Sequence, residues 1–329
     1  MDTCLTQQRR HSLALLTSAA CPWAWGAALS DTDYPNRLIR VIVPFPNGGG
    51  TEVIGRPLIQ AMAEDLGQSM IIDNKPGAGT LIGSDYVAKS PPDGYTLLMT
   101  TNAVAINAAL VSRLPYDTLR DLLPVGRICQ GPNVIAVRAD SPIKSLSDLI
   151  QMGRNQPGKL SYASSGNGSA VHLAAELFKI MAQVRIQHIP YRGAGPAYTD
   201  LLGGQVDLLF ATAGGVHKFV RSGQIRALAL TSARRVEAYP GIPTVAETLS
   251  GYVAEVWYGL FASRGTPAPN IEKLNIALRK AASTPTYKAA LMKDGLEQSV
   301  NSPHEMALFM KEEIERWRQV ITTAGITAD

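Results

Sequence analysis

Short β-branched runs alternate with stretches of helical spacing along nearly the whole chain, and this alternation restricts the fold more than any other feature. Residues 37–44 (RLIRVIVP) read as a buried strand, and 51–66 as a helix with Val53, Ile54, Leu58, Ile59, Met62 and Leu66 on one face. Gly67 is its stop. A strand at 69–73, a short helix at 80–89 and a strand at 95–100 follow, the last entered through Asp93-Gly94. The second half repeats the pattern, with strands at 160–163, 185–190, 206–211 and 224–231 and helices at 169–181, 196–202 and 216–221 between them. One more strand is expected at 257–262, and from Asn270 onward only helices, the last an amphipathic one at 304–323. In that helix Glu312, Glu313, Glu315, Arg316 and Arg318 are read as an exposed charged face. Repeated β-α-β units imply parallel sheets with helices on both faces, and two such sets make a two-lobed α/β protein. In that architecture small ligands sit at the carboxyl ends of the strands.

Composition excludes the main competitors. With 46% apolar and 18% charged residues the 329-residue chain is not disordered, and three cysteines are too few for a disulfide scaffold. The net charge of +4 is small and its basic residues are scattered, so no nucleic-acid partner is expected.

The N-terminus reads as a secretory signal peptide, residues 1–28. Arg9 and Arg10 supply the positive region, 13–25 the apolar one, and Gly26-Ala27-Ala28 the small residues before cleavage. The apolar stretch is too short to span a bilayer. Ser18-Ala19-Ala20-Cys21 is a poor lipobox because its first position is usually a branched aliphatic, and the flanks of the arginine pair fit a twin-arginine signal badly. Cleavage removes Cys4 and Cys21 and leaves Cys129, which reads as a buried structural thiol.

Three loops that leave a strand and enter a helix carry the chemistry. Pro44-Phe45-Pro46-Asn47-Gly48-Gly49-Gly50-Thr51-Glu52 is neither a Walker loop nor G-x-G-x-x-G. Its glycines let backbone amides approach a ligand, Thr51 and Glu52 suit a helix N-terminus, and such a terminus attracts anions. Ser164-Ser165-Gly166-Asn167-Gly168-Ser169 is a second donor-rich loop, with His172 one turn on. Tyr191-Arg192-Gly193 offers a guanidinium fork suited to a carboxylate. No G-x-S-x-G, H-E-x-x-H or paired Cys/His spacing is present, so no catalytic residues, metal or cofactor are assigned.

An ordered series of motifs runs through the chain beyond residue 34. Tyr34-Pro35 is followed by V-P-F-P-x-G-G-x-T at 43–51, Asn74-Lys75-Pro76-Gly77-Ala78-Gly79, and Pro92-Asp93-Gly94-Tyr95. Leu114-Pro115-Tyr116-Asp117, Ser165-Gly166-Asn167-Gly168, Ile189–Gly193 (I-P-Y-R-G), 200–206 (DLLGGQV) and Pro243-Thr244-Val245-Ala246-Glu247 complete it. In this series the chain resembles the Bug-type solute-binding proteins of tripartite tricarboxylate transporters. The resemblance implies a type II periplasmic-binding fold, each lobe a mainly parallel sheet flanked by helices, with the ligand cleft between lobes. Lobe 1 would comprise 34–132 and 253–329, and lobe 2 133–252. It further implies an exported, non-enzymatic monomer in the periplasm. This receptor would bind a small organic acid and pass it to the membrane permease subunits, or present it to a sensor ectodomain. Carried over position by position, the ligand residues would be Phe45, Gly48, Gly49 and Thr51, with Asn102 and Ala103 on the next loop. The second lobe would add Ser164, Asn167, Gly168, Ser169, His172, Tyr191, Arg192 and Gly193, with Ala211 and Thr212 at the far end. Where many members carry Phe-Asp, this chain has Phe210-Ala211. Loss of that acid is expected to disfavour amino acids and favour plain acids.

Overall fold

The computed structural model describes residues 33–327, so the leader read at 1–28 lies outside the described residues. Asp33 and Tyr34 belong to a separate unit, Met1–Tyr34, and everything below concerns the compact unit Pro35–Asp329.

Two sheets organise that unit. The first contains β1 (Ile39–Val43), β2 (Met70–Asn74), β3 (Thr96–Thr101), β4 (Leu122–Gly131), β10 (Val256–Ser263) and β11 (Glu297–Gln298), in the order β11-β4-β10-β3-β1-β2. The second contains β5 (Asn133–Arg138), β6 (Ser161–Ser164), β7 (Gln187–Pro190), β8 (Leu208–Thr212) and β9 (Ile225–Leu230), in the order β7-β6-β8-β5-β9. The strands of the second sheet all lie between Asn133 and Leu230, so the chain leaves the first sheet at Pro132 and rejoins it at Val256. This is the two-lobed α/β arrangement expected from the alternating pattern.

The sheets are mixed, however, and not mainly parallel. β1 runs parallel to β2 and β3, but β10 is antiparallel to β3 and β4, and β5 is antiparallel to β8 and β9. β4 and β5 are successive strands joined through Pro132 alone. They belong to different sheets, so this junction is the first crossing of the chain between the two. Sequence patterning missed both strands: Pro124, Gly126 and Gly131 interrupt β4, and Pro132 stands immediately before β5. Pro124 is tolerated because it pairs with Phe261 next to a register shift, on a strand whose other neighbour is only two residues long. That neighbour, β11, is also a correction: not everything after Asn270 is helical.

Eleven α-helices cover the sheets among the described residues, and most begin where a strand ends. They include α1 (Gly50–Leu66) after β1, α2 (Leu81–Ala88) after β2, and α3 (Ala103–Leu110) after β3, then α4 (Thr118–Asp121) and α5 (Leu146–Asn155). The second sheet adds α6 (Ala170–Ala182) after β6, α7 (Ala194–Leu202) after β7, and α8 (Ala213–Arg221) after β8. The C-terminal set is α9 (Ala268–Ala282), α10 (Pro285–Lys293) and α11 (Pro303–Ala324). Local chemistry explains the boundaries. Gly67 closes α1 in the left-handed region, as expected, and Ser302 with Glu305 forms a reciprocal cap at the start of α11. Among the described residues no helix is long and apolar enough to cross a membrane.

The charged face read on α11 holds only in part. Glu312, Glu315 and Arg318 are exposed, but Glu313 is 5% exposed. Its Oε2 accepts from the indole nitrogens of Trp257 at 2.9 Å and Trp317 at 3.1 Å, and its Oε1 from Arg316 at 3.0 Å. A carboxylate this buried persists because three donors replace its water. Arg316 also donates to the Val253 carbonyl, which ties α11 to the segment re-entering the first sheet. Cys129 is buried within β4, and burial pushes its thiol well above the ordinary range, as suits a structural residue.

Candidate functional site

Five loops at the carboxyl ends of strands, three from the second sheet and two from the first, converge. A Cβ placed on Gly50 would lie 3.8 Å from Thr212 Oγ1, at the end of β8, and 3.7 Å from the Tyr258 hydroxyl. One on Gly193 would lie 3.9 Å from Pro46 Cγ. Further along, one on Gly168 would lie 3.4 Å from Asn107 Oδ1, and one on Gly79 would lie 3.7 Å from the Asn167 carbonyl. The first glycine loop therefore faces the ends of β7 and β8. The loop at 164–169 faces α3 and the turn at 77–80. The N-termini of α1, α6, α7 and α8 follow these loops, and their dipoles favour an anion at the junction.

Most of the donors read from the sequence brace the loops themselves. Gly48 N–H donates to Glu52 Oε2 at 2.7 Å, and Glu52, 4% exposed, also pairs with Arg56. The Gly48 amide holds the Glu52 carboxyl below its usual range, so this glutamate stays ionised and locks the loop onto α1. Gly48 adopts φ +77°, which favours glycine, whereas Gly49 caps α1 in an extended conformation. The Phe45 carbonyl accepts from Asn74 Nδ2 at 3.0 Å, and Thr51 is buried in the first turn of α1. Asn102 and Ala103 lie not on an open loop but at the buried corner where α3 begins. There Asn102 Nδ2 donates to the Glu255 carbonyl at 3.2 Å.

The loop after β6 is braced in the same way. Buried Ser164 accepts from Gly166 N–H at 3.1 Å and its Oγ lies 2.7 Å from His188 Nε2. Ser169 donates to the Gly166 carbonyl at 2.7 Å and caps α6 by accepting from His172 N–H. Gly168 N–H donates to His172 Nδ1 at 3.1 Å, so that nitrogen is an acceptor and the ring is neutral in this arrangement. His172 stacks on His188 with ring centroids 4.1 Å apart, and His188 stacks on Tyr162 at 4.7 Å. Burial first, and then repulsion from Lys179 and from any protonated form of His172, lower the His188 pKa to about 3, so it supports Ser164 as a neutral ring. The sequence did not single out His188 or Tyr162, because each sits mid-strand with no loop signal.

Tyr191 belongs to the third loop, where its hydroxyl donates to Asp200 Oδ2 at 2.6 Å. Burial and that bond push it up to about 12. Arg192 is exposed, and Gly193 N–H donates to the Ser165 carbonyl at 3.3 Å. At the end of β8, Ala211 is buried and Thr212 half-buried. They line a small pocket of about 30 Å³ with Ser165, Val171, Phe210 and Tyr198. Tyr198 was not identified from the sequence, because a tyrosine two residues after Pro196 in a helix reads as core.

Two sheets between which the chain passes twice, with helix N-termini meeting between them, define the class of two-lobed binding proteins. The sequence model for the tripartite tricarboxylate transporter family receptor matches residues 54–326, and the chain belongs to that family. It is 36% identical over 302 residues to protein BugT of Bordetella pertussis, spanning 91% of this chain and 93% of that one. Its fold matches Rpa4515 of R. palustris, solved with adipate, with a TM-score of 0.86, 36% identity, and coverage of 90% of this chain and 99% of the other. MatC of Rhodopseudomonas palustris, solved with bound malate, gives a TM-score of 0.81, 31% identity, and coverage of 88% and 100%.

Proposed function

We propose that this chain is an exported periplasmic receptor for a small organic acid. A di- or tricarboxylate, or a related acid, would be held between a lobe of residues 34–132 and 253–329 and a lobe of residues 133–252. Delivery would be to the permease subunits of a tripartite tricarboxylate transporter, and the chain would do no covalent chemistry. One observation carries the reading. Helix-initiating loops of both sheets meet, Gly50 against Thr212 and Gly193 against Pro46, so a ligand between them would be gripped from two sides. A carboxylate there would be stabilised by first-turn amides and helix dipoles in place of a buried lysine or arginine. The adipate and malate bound in two relatives support an acid of this size. Of the carried-over residues, Gly49, Thr51, Arg192 and Thr212 remain the best candidates for direct contact. Gly48, Ser164, Gly168, Ser169 and His172 hold the loops in shape.

A thermal-shift panel on the mature protein, unfolded and refolded to strip any bound ligand, tests this. Di- and tricarboxylates, aromatic acids, amino acids and neutral sugars form the panel. One class of acids should raise the melting temperature, by about 2.7 kcal/mol of added stability at 100 times the dissociation constant. 2-Oxoglutarate should bind better than glutamate, since Ala211 gives an ammonium no carboxylate to pair with. A response to sugars alone, or a preference for glutamate, would count against the reading.

A further inference from the structure

Tyr198, in the lining of the pocket beside Thr212, carries one polar group that the protein itself does not satisfy. The Tyr198 hydroxyl is buried and has no hydrogen-bond partner. A buried hydroxyl in that state is costly, so it needs a reason. Burial also raises its pKa, so it remains a protonated donor at any physiological pH. The space around it is built. Gly215, in the first turn of α8, leaves room for the hydroxyl, since a Cβ there would collide with Tyr198 and lie 2.9 Å from Thr212 Oγ1. The rest of the lining is Ser165, Thr212 and apolar side chains, with no charged side chain among the described residues. The starts of α6, α7 and α8 border it through Val171, Ala194 and Thr212. Their dipoles favour an electron-rich group in the pocket and oppose a cation.

We propose that Tyr198 determines ligand specificity: its hydroxyl donates a hydrogen bond to an oxygen at the far end of the bound acid. The pocket then selects short aliphatic acids that carry a second oxygen acceptor, a carboxylate or a carbonyl, over alkyl monoacids and over acids ending in an ammonium. The assignment rests on the receptor reading above. It adds that the acid's first carboxylate stays at the glycine loops while its other end enters the pocket behind Thr212. A ligand ammonium would find only neutral oxygens there and no counter-charge.

The test pairs each diacid with the monoacid of equal chain length: glutarate with valerate, and adipate with hexanoate. Calorimetry is run on the mature protein and on Tyr198→Phe. The wild type should prefer the diacid of each pair. Tyr198→Phe should weaken the diacid about tenfold and change the monoacid less than twofold, which removes the preference. Its melting temperature without ligand should not fall, and should rise if anything, because the hydroxyl has no partner to lose and its unpaired burial is relieved. Gly215→Ala should give the same selective loss by displacing the hydroxyl. Equal weakening of both acids, or undiminished diacid binding by Tyr198→Phe, would overturn the assignment of Tyr198 while leaving the receptor standing. A wild-type protein that binds no acid of the series would overturn the receptor reading, and this assignment with it.

Discussion

Tryptophan in place of Gly50 is expected to abolish acid binding, whereas alanine at the same position is tolerated. Gly50 is the first residue of α1 and lies close to the end of β8. A methyl group fits, since it would meet Thr212 Oγ1 at 3.8 Å and the Tyr258 hydroxyl at 3.7 Å, ordinary contact distances. An indole does not fit. It must either fill the space between the loops or hold them apart, and both outcomes remove the two-sided grip on the ligand. The expected loss is at least 100-fold in affinity, about 3 kcal/mol, against less than threefold for Gly50→Ala. The half-buried site lies at a helix start outside the packed core, so the free Gly50→Trp protein should melt close to the wild type. Calorimetry with the acid that stabilises the wild type checks both variants. Wild-type affinity in Gly50→Trp would show that the ligand sits elsewhere.

The largest expected stability effect lies at the other end of the chain. Trp317 of α11 is 0% exposed and donates to buried Glu313. Truncation to alanine removes a large core side chain and leaves a cavity, which costs about 3–5 kcal/mol. It also takes one of two indole donors from a buried carboxylate, which places the change at the upper end of that range. The melting temperature should fall by roughly 10 °C. Arg318→Ala, one position further and exposed, should change stability by less than about 0.5 kcal/mol. Thermal denaturation followed by circular dichroism separates the two. Similar small shifts in both would mean that the Trp257–Glu313–Trp317 cluster does not hold α11 to the first sheet.

That cluster also shows where sequence reasoning stops. A glutamate three residues before an arginine on an amphipathic helix reads as a solvated ion pair, and Glu313 with Arg316 has that spacing. What buries Glu313 is Trp257, a strand residue far away in sequence, and no local pattern carries that information. The β-branched run of β1, the helical spacing of α1 and its stop at Gly67 were legible, because propensity, periodicity and capping agree there. β4 was hidden because its proline and glycines, together with Pro132 at the sheet crossing before β5, imitate a loop. At the site, the glycine-rich loops could be found by composition and by position after strands. Which of their amides are already occupied could not, since Gly48 is bonded to Glu52 and Gly168 to His172 through side chains on the following helices. Tyr198 was invisible for the same reason as Glu313: its meaning comes from the space left by Gly215, not from its neighbours in α7.

The central claim is that a carboxylate, recognised by helix-initiating loops of both sheets, is what this protein captures. Calorimetry of the refolded mature chain with adipate, glutarate and malate, each beside its diamide, tests it most directly. Acid and amide have nearly the same shape and differ in charge. The account predicts one-to-one binding of at least one of these acids and at least 100-fold weaker binding of its amide. Equal affinity for acid and amide, or binding of neutral sugars with no response to any of the acids, would contradict it.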